Sequence, residues 1–104
     1  MTRGTTPTLE FSIPYAASDI KNGYVTFSQH RRPVFEVGLE AMQLQDGKLT
    51  VTLTQRQTLS LEPDDVVVQI RLLLEGDQAV ASQLMEVHVQ DVLKDGVISD
   101  ANGS

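Results

Sequence analysis

Apolar and polar residues alternate along most of this chain with a period of two, the spacing of half-buried strands rather than of helices. Leu9, Phe11 and Ile13 alternate with Thr8, Glu10 and Ser12, and Pro14 closes the run, which predicts a first strand over Thr8–Ile13. Ala16–Asn22 reads as a connection with one helical turn after Ser18. Asn22-Gly23 reads as a turn, because both residues tolerate positive φ. Tyr24–Ser28 follows as a strand with Val25 and Phe27 inward, and Gln29–Pro33 as the next turn. Val34–Leu39 is predicted as a strand with Phe35, Val37 and Leu39 on one face and a bulge at Gly38. Met42 and Leu44 suit a short strand before Asp46-Gly47, the sharpest hairpin signal in the chain.

Leu49, Val51 and Leu53 then alternate with threonines up to Thr54-Gln55-Arg56-Gln57. That tetrad fits a capping box, so a short helical turn is expected at residues 55–59, crossing between sheets. Val66–Leu74 is the longest apolar run and reads as the core strand, led by β-branched residues and bounded by Asp64-Asp65 and Glu75-Gly76-Asp77. Its inner face holds Val66, Val68, Ile70, Leu72 and Leu74. Gln78–Ser82 suits a weak return strand. Gln83–Val89 suits a last strand with Met85, Val87 and Val89 inward, and Leu84 stands out as an apolar residue on its outer face.

Six to eight short strands with turn signals between them predict an all-β fold, an antiparallel β-sandwich, Ig-like or a flattened barrel, with at most one helical turn. The expected organisation is an extended arm at 1–7, one sandwich domain at 8–93 and a C-terminal tail at 94–104.

Composition narrows the functional classes. The chain has 104 residues, 40% of them hydrophobic, which suits one globular domain. With no cysteine, disulfides and thiolate metal sites are excluded. No apolar leader segment opens the sequence, and 66–74 is too short and too interrupted to span a bilayer, so synthesis in the cytoplasm and no membrane partner are expected. Fourteen acidic against eight basic residues give a net charge of -6, and His30-Arg31-Arg32 is the only basic cluster, which argues against nucleic acid as a partner.

Catalytic groupings are missing from the sequence. It holds no G-x-S-x-G, no H-x-H or H-E-x-x-H spacing and no glycine-rich phosphate loop. His30, at a turn, and His88, on an outward strand face, read as surface imidazoles. Glu62, Asp64 and Asp65 could supply oxygen ligands to a hard cation such as calcium, but an acidic loop that keeps a sheet edge soluble is the better reading. No catalytic residue, metal site or cofactor is therefore expected, and no enzymatic activity.

One ordered pattern extends over residues 4–93: Gly4-Thr5-Thr6-Pro7-Thr8-Leu9-Glu10-Phe11, then Asp19-Ile20, Val25-Thr26-Phe27-Ser28-Gln29, Leu53-Thr54-Gln55-Arg56-Gln57-Thr58, Val68-Gln69-Ile70-Arg71, Ala81-Ser82 and Val87-His88-Val89. It resembles small phage and prophage tail-region proteins of Gram-positive bacteria, and is similar to the N-terminal β-domain of siphophage upper-baseplate proteins. The resemblance implies a β-domain that docks other tail or baseplate proteins, a place in the virion after synthesis in the host cytoplasm, and use in multiple copies, which suits a homo-oligomer. Such baseplate proteins continue into coiled-coil or receptor-binding regions, so receptor binding is not expected of this chain. The alternative is a sugar or cell-wall ligand-binding sandwich, for which the aromatic supply is poor: no Trp and two Tyr.

The core strand also carries the candidate interface. Val67, Gln69, Arg71 and Leu73 lie on the side opposite the core, and Leu84 joins them if strand 83–89 pairs beside 66–74. An apolar patch edged by Arg and Gln suits a protein–protein contact. The competing reading has the arm 1–7 or the tail 91–98 of the same chain covering it.

Overall fold

Eight strands form two antiparallel sheets in the computed structural model, which describes residues 1–99. β1 (Thr8–Ser12), β5 (Lys48–Thr52) and β4 (Met42–Gln45) make a three-stranded sheet in that order. β3 (Arg32–Gly38), β2 (Ile20–Gln29) and β6 (Asp65–Leu74) make the body of a five-stranded one. The far edge of β6 is shared. β7 (Ala79–Ala81) pairs with Arg71–Leu73, and β8 (Met85–His88) pairs with Asp65–Val68. The architecture is an all-β sandwich with one helix, α1 (Gln55–Leu59), between β5 and β6.

The alternation in the sequence becomes the two faces of each strand. Val66, Val68, Ile70, Leu72 and Leu74 of β6 are buried against Val25 and Phe27 of β2, Val37 of β3, and Leu49 and Val51 of β5, with Leu53, Leu61 and Val89 closing the ends. Each such side chain contributes about 1.5–3 kcal/mol on leaving water. Leu9, Phe11, Phe35, Met85 and Val87 are partly buried against the same core. Phe27 and Phe35 stack with ring centroids 4.6 Å apart.

α1 starts as the sequence predicts. The Thr54 hydroxyl accepts from the Gln57 backbone N–H at 3.1 Å, and the Gln57 side chain accepts from the Thr54 N–H at 2.8 Å. These bonds satisfy two amides that a helix start otherwise leaves bare. A five-residue helix has little intrinsic stability, so its caps and its packing carry it.

Four local expectations need correction. Asn22-Gly23 is not a turn; it lies inside β2, where Gly23 pairs with Leu72 beside a register shift between Ile20 and Asn22. The glycine serves a close approach, since a Cβ there would lie 2.7 Å from Leu72 Cδ2 and 3.0 Å from the Arg71 carbonyl oxygen. The bulge in β3 is not at Gly38. It falls at Val34, which the pairing skips between Phe27–Phe35 and Ser28–Pro33. Leu39 does not extend β3; it begins a 3-10 turn over Leu39–Ala41. The broad turn expected at Gln29–Pro33 contracts to His30 and Arg31, both at positive φ, +53° and +65°. That is the sense of a type I′ hairpin turn, normally given to Asn and Gly.

Candidate interaction face

The outer side of the five-stranded sheet follows from strand parity and register. The pairings Ser28–Val67, Thr26–Gln69 and Tyr24–Arg71 set those side chains in rows across β2 and β6. Glu36 joins the row of Thr26 from β3, Glu86 that of Val67 from β8, and Ala81 that of Arg71 from β7. Between β7 and β8 the ladder is interrupted, and Ser82 fills the gap. Its N–H donates to the Ile70 carbonyl at 2.8 Å, and its hydroxyl accepts from the Ile70 N–H at 2.9 Å. The Gln69 amide donates to the Ser82 carbonyl at 3.2 Å. These bonds hold the segment that presents Leu84, one residue before inward-facing Met85, on the outer face.

The structure therefore brings Val67, Gln69, Arg71 and Leu84 together, with Leu73 next along the strand. Thr26, Ser28, Arg31, Pro33, Val67, Gln69, Arg71 and Leu84 line a groove of about 480 Å³. A second hollow, about 230 Å³, lies on the other side of Arg71 between Asn22, Tyr24, Leu73 and Ala79. Tyr24 is 43% exposed and Leu84 67%. Sequence reasoning missed Tyr24, Arg31 and Pro33 as part of this face. Tyr24 was accessible from parity, because it precedes inward Val25. Arg31 was not, because its place depends on the left-handed turn.

Among the described residues, none of the arm or of the tail lines either hollow. Both segments pack elsewhere. Thr2 bridges Gln90, and the Gln90 N–H donates to the Met1 carbonyl at 2.7 Å. Arg3, whose side chain is 15% exposed, ties three segments together. Its guanidinium donates to the Leu61 carbonyl at 2.7 Å, to the Leu59 carbonyl at 3.0 Å, and to Asp91 at 2.7 Å, with Asp95 at 3.0 Å. Leu59 ends α1, so Arg3 satisfies a carbonyl that the helix leaves open. The hydrogen bond from Arg3, helped by the Val92 N–H, holds the Asp91 carboxyl below its ordinary range. The same bond to Asp91 raises the Arg3 guanidinium further, against the opposing effect of burial.

The acidic loop does not converge on one point. His30 Nε2 lies 2.6 Å from Glu62 Oε2 and 3.9 Å from Asp64, whereas Asp65 faces His88 Nδ1 at 3.0 Å. Among the described residues no group of three His, Asp or Glu side chains is arranged to hold a metal ion. Both imidazoles are exposed, as expected, but each has a carboxylate partner that the linear sequence did not reveal. Buried Gln29 fastens the same corner: its amide donates to the Glu62 carbonyl at 3.0 Å and accepts from the Glu62 N–H at 2.8 Å. That latch supports the left-handed turn at His30-Arg31.

Among the described residues, no helix is long and apolar enough to cross a membrane. No family model matches the chain, and no curated protein matches it.

Proposed function

We propose that this chain is a non-catalytic adaptor module that works through protein–protein contacts on the outer face of its five-stranded sheet, as a component of a phage or prophage tail or baseplate. The observation that carries the contact reading is the uncovered face itself. It combines an exposed Tyr and Leu, half-buried Val67 and Leu73, and Arg71, which has no ion pair among the described residues. Aromatic and arginine side chains around a small apolar patch are what protein interfaces concentrate. The tail assignment rests on the sequence resemblance over residues 4–93 and places the protein in the virion, with other tail or baseplate proteins as partners.

Three observations test this reading. The encoding gene should lie among tail and virion genes; a neighbourhood without them removes the tail assignment. Purified chain should bind a neighbouring tail protein, and Val67→Lys with Leu73→Lys should abolish binding without altering the circular dichroism spectrum. Unchanged binding by that double variant would remove the face from the mechanism. A glycan array positive at this face would favour the sugar-binding alternative instead.

A further inference from the structure

We infer that the free edge of β1 is a strand-addition site. Its occupant is an extended segment of a different protein, antiparallel to β1, that alternates aliphatic with polar side chains and sets a basic residue opposite Glu10. The site belongs to the three-stranded sheet, so it stands or falls independently of the outer face described above.

The backbone of β1 leaves one side unpaired. The Leu53 N–H donates to the Pro7 carbonyl at 3.0 Å and the Ile13 N–H to the Gly47 carbonyl at 3.1 Å, and the register between β1 and β5 runs without a shift. Odd-numbered residues from 7 to 13 therefore bond to β5. Thr8, Glu10 and Ser12 turn their N–H and C=O groups the other way, and among the described residues no backbone group bonds to them. Apart from water, only another extended backbone satisfies such a row in register. The other sheet edges are guarded. β3 carries Pro33, the bulge at Val34, and exposed Arg32 and Glu36. β4 has four residues, and β7 and β8 have three and four with a break between them. Proline, bulges, charge and shortness are the devices that keep a sheet edge from pairing. Between Pro7 and Pro14, β1 has only the charge of Glu10.

The side chains at this edge define what the occupant brings. Leu49 and Val51 of β5 are fully buried, whereas Leu9 and Phe11 beside them are only partly covered, as are Val80 and Met85 on the facing sheet. A hollow of about 170 Å³ bridges the two sheets there, with Ser12, Ile13 and Tyr15 on one wall and Leu72, Val80 and Ser82 on the other. Among the described residues, none of residues 1–7 or of the tail lines it. A strand added to β1 sets every second side chain on the side of Leu9 and Phe11, toward the hollow, and the alternate ones beside Glu10. Aliphatic residues suit the first set. Glu10 decides the second: its side chain is 62% exposed and its ion pair with Lys48 is long, at 3.9 Å. A basic residue across from it gains a closer charge pair. A second copy of β1 is a worse occupant. The antiparallel register that sets Leu9 against Phe11 also sets Glu10 against Glu10, on chains of net charge -6.

The test is amide exchange and shift mapping of the full chain by nuclear magnetic resonance. The probe is a synthetic peptide in which valine alternates with threonine and lysine. In the free chain the Leu9 and Phe11 amides should be protected, and those of Thr8, Glu10 and Ser12 should exchange freely. Peptide should slow exchange at these three and shift the signals of Tyr15 and Val80. A peptide of the same composition with its valines in one block should bind about tenfold more weakly or worse, because it cannot keep one face apolar. In the antiparallel pairing the threonine and lysine nitrogens point at β1. Methylating them should weaken binding about tenfold or more, whereas methylating the valine nitrogens should not. Glu10→Pro removes an edge donor without touching a β1–β5 bond, so it should abolish binding with a melt close to the parent's. The inference is overturned by a Glu10 amide already protected in the free chain, by no shifts at millimolar peptide, by equal binding of the blocked or either methylated peptide, or by shifts confined to Val67 and Leu73. Protection of the same amides that rises with chain concentration, without peptide, would assign the edge to a second copy and overturn the occupant. Peptide binding that survives Val67→Lys with Leu73→Lys, in a variant that has lost no tail-protein binding, would remove the adaptor face and leave this site standing.

Discussion

The two faces of β6 come from one ten-residue strand and have opposite fates. On the inner face, Val66, Val68, Ile70, Leu72 and Leu74 are enclosed by the second sheet and by neighbouring strands. On the outer face, Val67, Gln69 and Leu73 stay half-buried and Arg71 exposed, and among the described residues no segment of the arm or tail lines the hollows beside them. The inner face is uniform and aliphatic, so its value lies in burial. The outer face mixes aliphatic, amide and guanidinium groups, a composition too apolar for a merely solvated surface and too polar for a core. The arm and tail sharpen the contrast. They are tethered by Arg3, by the Thr2–Gln90 bridge and by Gln55, away from this face. A surface that the described residues of both segments leave open is a candidate for an outside partner.

The largest test of this contrast is Ile70→Ala. A large-to-small change in a filled core costs about 2–5 kcal/mol, a large share of the about 5–15 kcal/mol that holds a domain of this size. Urea denaturation should show it as a markedly lower midpoint, and an unchanged midpoint would contradict the burial of Ile70. Gly23→Ala probes the seam between the faces, where β2 presses on β6. Overpacking there should cost about 1–3 kcal/mol, and a melt equal to the parent would show that Leu72 yields without strain. Thr54→Ala removes one half of the capping box and should cost about 0.5–2 kcal/mol; Thr54→Ser should recover most of it in the same assay. On the outer face, Leu84→Lys should change stability by no more than about 0.5 kcal/mol. A large loss would mean that Leu84 belongs to the core rather than to an interface.

The smallest effect lies at the Arg3 junction and appears as a pH dependence. Asp91 is held below its ordinary value in the folded chain, so its ionised form favours folding. That contribution is complete above the ordinary carboxylate value and fades as pH falls through the lowered one. The difference in melting temperature between parent and Asp91→Asn should therefore be present at neutral pH and shrink in strong acid. Because Asp91 is exposed, added salt should shrink it too. A gap that persists unchanged at the lowest pH would show that the Arg3 bond is not what depresses this carboxyl.

Much of the fold was legible because it depends on neighbours in sequence. Alternation places Val25, Phe27, Val51, Val68 and Ile70 inward whatever their partners, and the Thr54–Gln57 box closes over four residues. Asn22-Gly23 was misread because a glycine that lets two backbones approach has the same local appearance as one that makes a turn. Only the pairing of Gly23 with Leu72 separates the two. The bulge at Val34 escaped notice for the same reason, since a bulge is a property of two strands.

The candidate face divides along this line. Period-two parity determines that Val67, Gln69, Arg71 and Leu73 share a side, because adjacent residues of an extended backbone must point to opposite faces. Sequence also determines an all-β chain with an acidic surface and no thiol chemistry. Tertiary structure decided that Leu84, Tyr24 and Arg31 meet those four residues. It decided that His30 and His88 find different carboxylates, and that one arginine gathers the arm, the helix end and the tail. Each of these joins groups far apart in sequence. Their meeting depends on sheet order and register, which arise from the packing of the whole core and are written in no single stretch of residues.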